Sequence, residues 1–102
     1  MEEWKRVTEW NDKHFPSWRL HKQPIFFSNA LAGEVGELCN LVKKYYGGGT
    51  NKQKVTNDLM GYEAVDVLIY MILFCESIGI SLKEFSFLFD RKIEELTRRM
   101  KR

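Results

Sequence analysis

The sequence predicts an all-α fold, a single domain over residues 1–102 built as a four-helix arrangement. Three observations carry this. Apolar residues recur at helical spacing in four separate stretches. Those stretches are parted by breakers, notably Pro16 and Pro24, the run Gly47-Gly48-Gly49, and Gly79. No stretch alternates apolar and polar residues as a half-buried strand would, and there is no internal repeat or low-complexity tract.

The first helix is expected over residues 2 to about 14, where Trp4, Val7 and Trp10 share one face with charges between them. It ends near Phe15-Pro16, because proline disfavours the helical region for the residue before it. Residues 15 to 27 then read as irregular, with two prolines and mixed polarity. Trp18, within that segment, is either a plug for the core or the wall of a ligand pocket. Composition alone favours the plug.

The second helix starts between Pro24 and Ser28 and runs to Tyr46, where the glycine run stops it. On a helical wheel Phe27, Ala30, Leu31, Leu38, Leu41 and Tyr45 fall within about 60° of Glu34. Glu37 lies in the same arc, so both acids are expected in the apolar face. Gly33 and Gly36 are unfavourable in a helix interior. They read as room for a neighbouring helix or a bound phosphate.

Gly47 to Val55 reads as a flexible polar loop. Thr56 or Asn57 then caps a third helix that runs to Ser77 or Ile78, with Gly79 as the stop. From Ala64 to Cys75 this helix is apolar nearly all round, which predicts cover on every side from the rest of the chain or from a second subunit. The fourth helix opens at Ser81-Leu82-Lys83-Glu84, which has capping-box spacing. Leu82, Phe85, Phe89, Ile93, Leu96 and Met100 form its stripe. Phe87 and Leu88 lie off the stripe, and this excess of apolar surface points to self-association as a dimer or dimer of dimers.

Bulk properties bound the partners. Hydrophobic residues at 44% and charged residues at 29% suit a folded domain. A net charge of +2 gives no argument for nucleic acid by field alone. The basic end Arg98-Arg99-Met100-Lys101-Arg102 suits a helix C-terminus, where cations complement the dipole. The run from Ala64 to Cys75 is shorter than the roughly 20 apolar residues a bilayer requires, so no membrane partner is expected. Cys39 and Cys75 have apolar neighbours and form no CxxC, so both are expected as buried thiols in a reducing compartment. The opening Met1-Glu2-Glu3-Trp4-Lys5 does not resemble a signal peptide, and the expected localisation is cytoplasmic.

The chemistry sits in two acid pairs. Glu34 and Glu37 stand three apart on the second helix, and Glu63 and Asp66 three apart on the third. Residues at that spacing project to the same side. Buried carboxylates must be neutralised, paired or bound to a cation. Pairing with Lys43, Lys44, Arg91 or Lys92 would account for a single such pair. Two pairs, each in an apolar arc, favour hard-oxygen ligation of Mg²⁺, with Mn²⁺ as a substitute. A di-iron carboxylate bundle would want Glu-x-x-His, and neither His14 nor His21 follows a glutamate at that spacing.

The run Ala30-Leu31-Ala32-Gly33-Glu34-Val35-Gly36-Glu37-Leu38, followed by Glu63-Ala64-Val65-Asp66-Val67-Leu68-Ile69-Tyr70, resembles the MazG family of all-α nucleoside triphosphate pyrophosphohydrolases. The spacing from Trp18 through Pro24 to Glu34 is similar to the dCTP pyrophosphatase and short MazG-like branch. The resemblance covers roughly residues 4 to 80. It implies a bundle-like MazG fold and hydrolysis of a (deoxy)nucleoside triphosphate to monophosphate and pyrophosphate, as in nucleotide-pool clean-up. It implies Glu34, Glu37, Glu63 and Asp66 as Mg²⁺ ligands, with Glu34 or Glu37 also orienting or deprotonating the attacking water. It implies Trp18 and Tyr70 at the base. Similar proteins carry Lys-x-x-x-Asn in the last helix; here Lys92 is followed at that spacing by Leu96, and no asparagine occurs after Asn57. Lys44, Lys92, Arg98 and Arg99 are the remaining candidates for phosphate. That departure motivates an alternative, a non-catalytic nucleotide-binding or helical interaction module on the same scaffold.

Overall fold

The computed structural model describes residues 1–21, 23–47 and 55–101. Among them the chain forms only helices: α1 (Glu2–His14), α2 (Trp18–His21), α3 (Pro24–Tyr46), α4 (Asn57–Ser77) and α5 (Leu82–Met100). The all-α expectation holds. One turn of helix, α2, lies inside the segment expected to be irregular, so there is one more helix than the sequence predicts. Most of the expected loop between α3 and α4, from Gly48 to Lys54, lies outside the described residues.

The helix ends follow local chemistry. Glu2 and Glu3 open α1, and Lys13 and His14 close it, in the sense the dipole favours. Pro24 stands at the first position of α3, where its missing N–H is no loss. Thr56 caps α4, its hydroxyl accepting from the Leu59 N–H at 3.1 Å. Ser81 caps α5, accepting from the Glu84 N–H at 3.4 Å. Between them Gly79 takes a φ of +83°, a left-handed conformation that side chains beyond glycine adopt only under strain.

The main packing is α3 along α4, with α1 laid across α4. Trp4, Ile72 and Cys75 form one core cluster, in which Ile72 is fully buried. Trp18, Phe27 and Leu73 form a second, joined to the first through Val7 and Phe74. Phe27, Ala30, Leu31, Glu34, Leu38, Leu41 and Tyr45 are all buried or half-buried, as the wheel predicts for α3.

Several expectations about burial are corrected. Trp10 does not join the core and is 57% exposed. The inward face of α1 turns instead through Trp4, Val7, Thr8 and Asn11, which keeps to the helical period better than Trp10. Cys39 is exposed and only Cys75 is buried, because α3 meets α4 along one face and Cys39 points away from it. Glu37, expected inside the apolar arc, is exposed at its edge. Over Ala64 to Cys75 this chain by itself covers α4 except at Ala64 and Val65, which are exposed, as are Leu59 and Tyr62 before that stretch.

The last helix differs most from its expectation. It leaves α4 at a bend of 107° and touches the core only through Leu82 and Phe85. Phe87, Leu88, Phe89, Ile93, Leu96 and Met100 are exposed. The radius of gyration is accordingly 16.8 Å, against about 13 Å for a compact chain of this length. No single helix among the described residues is long and apolar enough to cross a membrane.

Candidate functional site

The packing of α3 on α4 brings the two acid pairs face to face. Carboxylate oxygens of Glu34, Glu37 and Glu63 all lie within 4.8 Å of one another. Asp66 falls outside this cluster, one turn further along α4, yet its charge still acts on Glu34. Glu34 and Glu63 each hold one oxygen, Oε2, sealed from solvent and without a hydrogen-bond partner. The ion pairs among the described residues are formed elsewhere: Lys5–Glu9, Arg19 with Asp12 and Glu76, and Glu95 with Lys92 and Arg99. Among the described residues the four acids have no cation partner, so pairing with Lys43, Lys44, Arg91 or Lys92 does not account for them.

The electrostatic result is visible on Glu34. Burial, reinforced by the charge of Glu37, by the close approach of the Glu63 carboxyl and by the charges of Asp66 and Glu63, pushes its carboxyl up to about 7. When protonated, Glu34 can share its proton with Glu63. When both are ionised, neither sealed oxygen has a donor. An all-oxygen set of converging carboxylates with orphaned buried atoms fits a hard divalent cation. Added Cβ atoms at Gly33 and Gly36 would meet nothing within 4 Å. These glycines therefore do not admit a neighbouring helix of this chain; they leave open space beside the acids.

Asp66, but none of the three clustered glutamates, borders an open cleft of about 1130 Å³, walled by α1, α2, the start of α3 and the middle of α4. Asp66 and Tyr70 line it from α4, and Trp18 lines it from α2. Trp18 answers both sequence readings at once. It is buried in the second core cluster, edge-on to Phe27 with ring centroids 5.7 Å apart, and it also forms part of the cleft wall. Lys44 and Lys92 do not line this cleft. Lys44 is exposed near the end of α3, and Lys92 pairs with Glu95 at 3.2 Å on α5. Arg98 lies with Lys92 in a separate shallow depression on α5.

Two features of the cleft escape a sequence reading. The first is a polar clamp that seats Trp18. Its Nε1 donates to Asp12 at 2.8 Å, and Arg19 donates to Asp12 at 2.9 Å and to Glu76 at 2.9 Å. Trp4 Nε1 donates to the other oxygen of Glu76 at 2.9 Å, so α1, α2 and α4 are joined through two carboxylates. The Arg19 guanidinium stacks 4.6 Å from the Trp18 ring centre and holds the Asp12 carboxyl below the usual range. Nothing in the sequence pairs residues 64 positions apart such as Asp12 and Glu76, so no signal could have found this. The second is Asn11, a polar residue on the inward face of α1 that lines the cleft. Its helical register with Trp4 is a signal that could have marked it.

The fold and the acids define a class: an all-α protein with a carboxylate-rich site beside an aromatic cleft. Compared with protein-family models, curated proteins and solved structures, the chain matches none.

Proposed function

We propose that this chain is a Mg²⁺-dependent pyrophosphohydrolase that cleaves (deoxy)nucleoside triphosphates to monophosphate and pyrophosphate. The convergence of Glu34, Glu37 and Glu63 from two helices, with two sealed oxygens that lack partners, carries this reading. The resemblance of both acid motifs to the MazG family supplies the reaction class. In this reading Glu34, Glu37 and Glu63, joined by Asp66 from the next turn, hold the cation, with Mn²⁺ as a substitute. A cation held by these residues would supply charge neutralisation for the triphosphate and activation of a nearby water.

The protein's own groups divide the remaining work. Glu37 is the exposed member of the cluster, so it is the acid that solvent reaches and the better placed to orient a water and take its proton. Glu34 and Glu63 are the anchoring pair, each with one oxygen sealed from solvent. Trp18 and Tyr70 offer flat surfaces on the cleft side for a base. Phosphate binding by Lys44 or Lys92 finds no support, since neither reaches the cleft; Arg6 and the two histidines do line it.

The exposed apolar surface of α5 supports the second part of the reading, assembly as a dimer or dimer of dimers. It also favours the one alternative worth testing, a helical interaction module that binds nucleotide without turnover. Incubation with a panel of NTPs and dNTPs plus Mg²⁺, read out as pyrophosphate against orthophosphate, separates the two. Pyrophosphate release that disappears in Glu37→Gln supports the enzyme; absence of turnover with every nucleotide overturns it.

A further inference from the structure

Three polar residues are buried among the described ones: Thr8, Asn11 and Ser77. Two of them are satisfied within their own helices. Thr8 donates to the Lys5 carbonyl at 3.0 Å and Ser77 to the Phe74 carbonyl at 2.6 Å. Asn11 is different. Its backbone carbonyl accepts from the Phe15 N–H at 2.9 Å; its side chain forms no hydrogen bond among the described residues, and its amide atoms are not sealed as the Glu34 and Glu63 oxygens are but stay open to the cleft. It is 6% exposed, and it opens onto the cleft between α1 and α4.

A carboxamide carries two donors and an acceptor with two lone pairs, all in one plane. An amide that opens onto a cleft is satisfied by water until a ligand displaces that water, and a ligand that cannot replace those bonds leaves the amide unpaired. Apolar packing does not require asparagine at this position, since Trp4 and Val7 on the same face already seal the core. A planar donor–acceptor pair at the wall of an aromatic cleft complements the edge of a planar heterocycle. Trp18 and Tyr70 line the same cleft and supply the apolar faces, and Asp66, one turn from Glu63 on α4, lines it as well.

We propose that Asn11 is a specificity-determining residue that hydrogen-bonds the polar edge of a nucleobase lying in this cleft. The proposal rests on the nucleotide reading above and adds to it a base-reading residue on α1. The ligand class it selects is a nucleoside rather than a bare polyphosphate: the ring enters the cleft, and the phosphates extend past Asp66 towards Glu34, Glu37 and Glu63. A site built to hydrogen-bond a ligand discriminates strongly against analogues lacking the matching atoms, because its own polar group is then left unpaired.

The test is equilibrium binding of nucleoside monophosphates by calorimetry in EDTA, which requires neither metal nor turnover. The best-bound monophosphate should lose roughly 10- to 100-fold in affinity in Asn11→Ala. Inorganic tripolyphosphate, measured with Mg²⁺ present, should bind the variant as it binds the parent. An independent arm leaves the protein unaltered: a shape-matched base analogue without hydrogen-bonding edge atoms should bind the parent as weakly as the natural ligand binds the variant. Equal affinity of natural and edge-less ligands for the parent protein overturns the role of Asn11, even if pyrophosphate release stands. Parallel losses for tripolyphosphate and nucleotide in Asn11→Ala also overturn it, because they mark a general disturbance of α1. If no monophosphate binds the parent at all, the base cleft itself is refuted along with this inference, whereas loss of turnover alone touches only the catalytic reading.

Discussion

At the scale of single residues, the site is a problem of charge. Glu34 sits where burial and three neighbouring acids disfavour ionisation, and its carboxyl rises to about 7 from an ordinary value of 4.5. A folded pKa raised in this way stabilises the protein fully below the unfolded pKa, and the contribution is lost as pH rises through the folded one. In EDTA the melting temperature should therefore fall from pH 4.5 to about pH 7 and level off above it. Mg²⁺ or Mn²⁺ should oppose that fall by compensating the charge. Glu34→Gln, which keeps the shape without the charge, should flatten the EDTA profile and remove the metal-dependent rise. A Glu34→Gln protein that still gains melting temperature with metal would refute the site. Glu37→Gln should behave differently, because Glu37 is exposed. It removes the charge that, after burial, most raises the Glu34 carboxyl, so it should soften the pH-dependent fall in EDTA, and it should lower kcat by about 10²- to 10⁴-fold, the range for loss of a general base.

At the scale of elements, the seating of α2 is decided by contacts from other helices. A one-turn helix has little stability of its own. Here Asp12 on α1 and Glu76 on α4 hold it through Arg19 and the Trp18 indole. Arg19 is substantially exposed, so each ion pair is worth only about 0.2–1 kcal/mol. Arg19→Ala should then lower global stability little. It should raise amide exchange selectively in residues 17–21, as measured by hydrogen–deuterium exchange with mass spectrometry. Uniform exchange rates in parent and variant would show that the indole alone seats the turn. The α4–α5 corner depends on Gly79, whose φ of +83° disfavours any side chain. Gly79→Ala should cost about 1–2 kcal/mol, read by urea denaturation. Ile72→Ala, which empties a fully buried position, should cost more, about 2–5 kcal/mol.

At the scale of the whole molecule, the isolated chain leaves too much apolar surface in water. The exposed residues of α5 and the first half of α4 form a surface that a single copy does not bury, and the radius of gyration of 16.8 Å reflects it. Self-association is the expected consequence. Light scattering at micromolar concentration should give twice or four times the 12.1 kDa chain mass. A charge introduced into the α5 stripe, as in Phe89→Asp or Ile93→Asp, should lower that mass. A monodisperse monomer for the unaltered chain would overturn the expectation.

The sequence by itself determined the elements: α1, α3, α4 and α5 begin and end where capping residues, prolines and glycines place them. It also determined which face of α3 turns inward, because a helix of fixed period admits one apolar face, and Glu34 lay at its centre. It could mark Glu34, Glu37, Glu63 and Asp66 as neighbours in pairs, since that relation is local. Only the tertiary structure decided that three of the four meet while Asp66 stands a turn away, that Glu37 is exposed, that Asn11 and Trp18 share one cleft, and that Arg19 ties Trp18 to Asp12 and Glu76. Distances between helices depend on how side chains interlock across α3 and α4, and no periodicity within either helix encodes them.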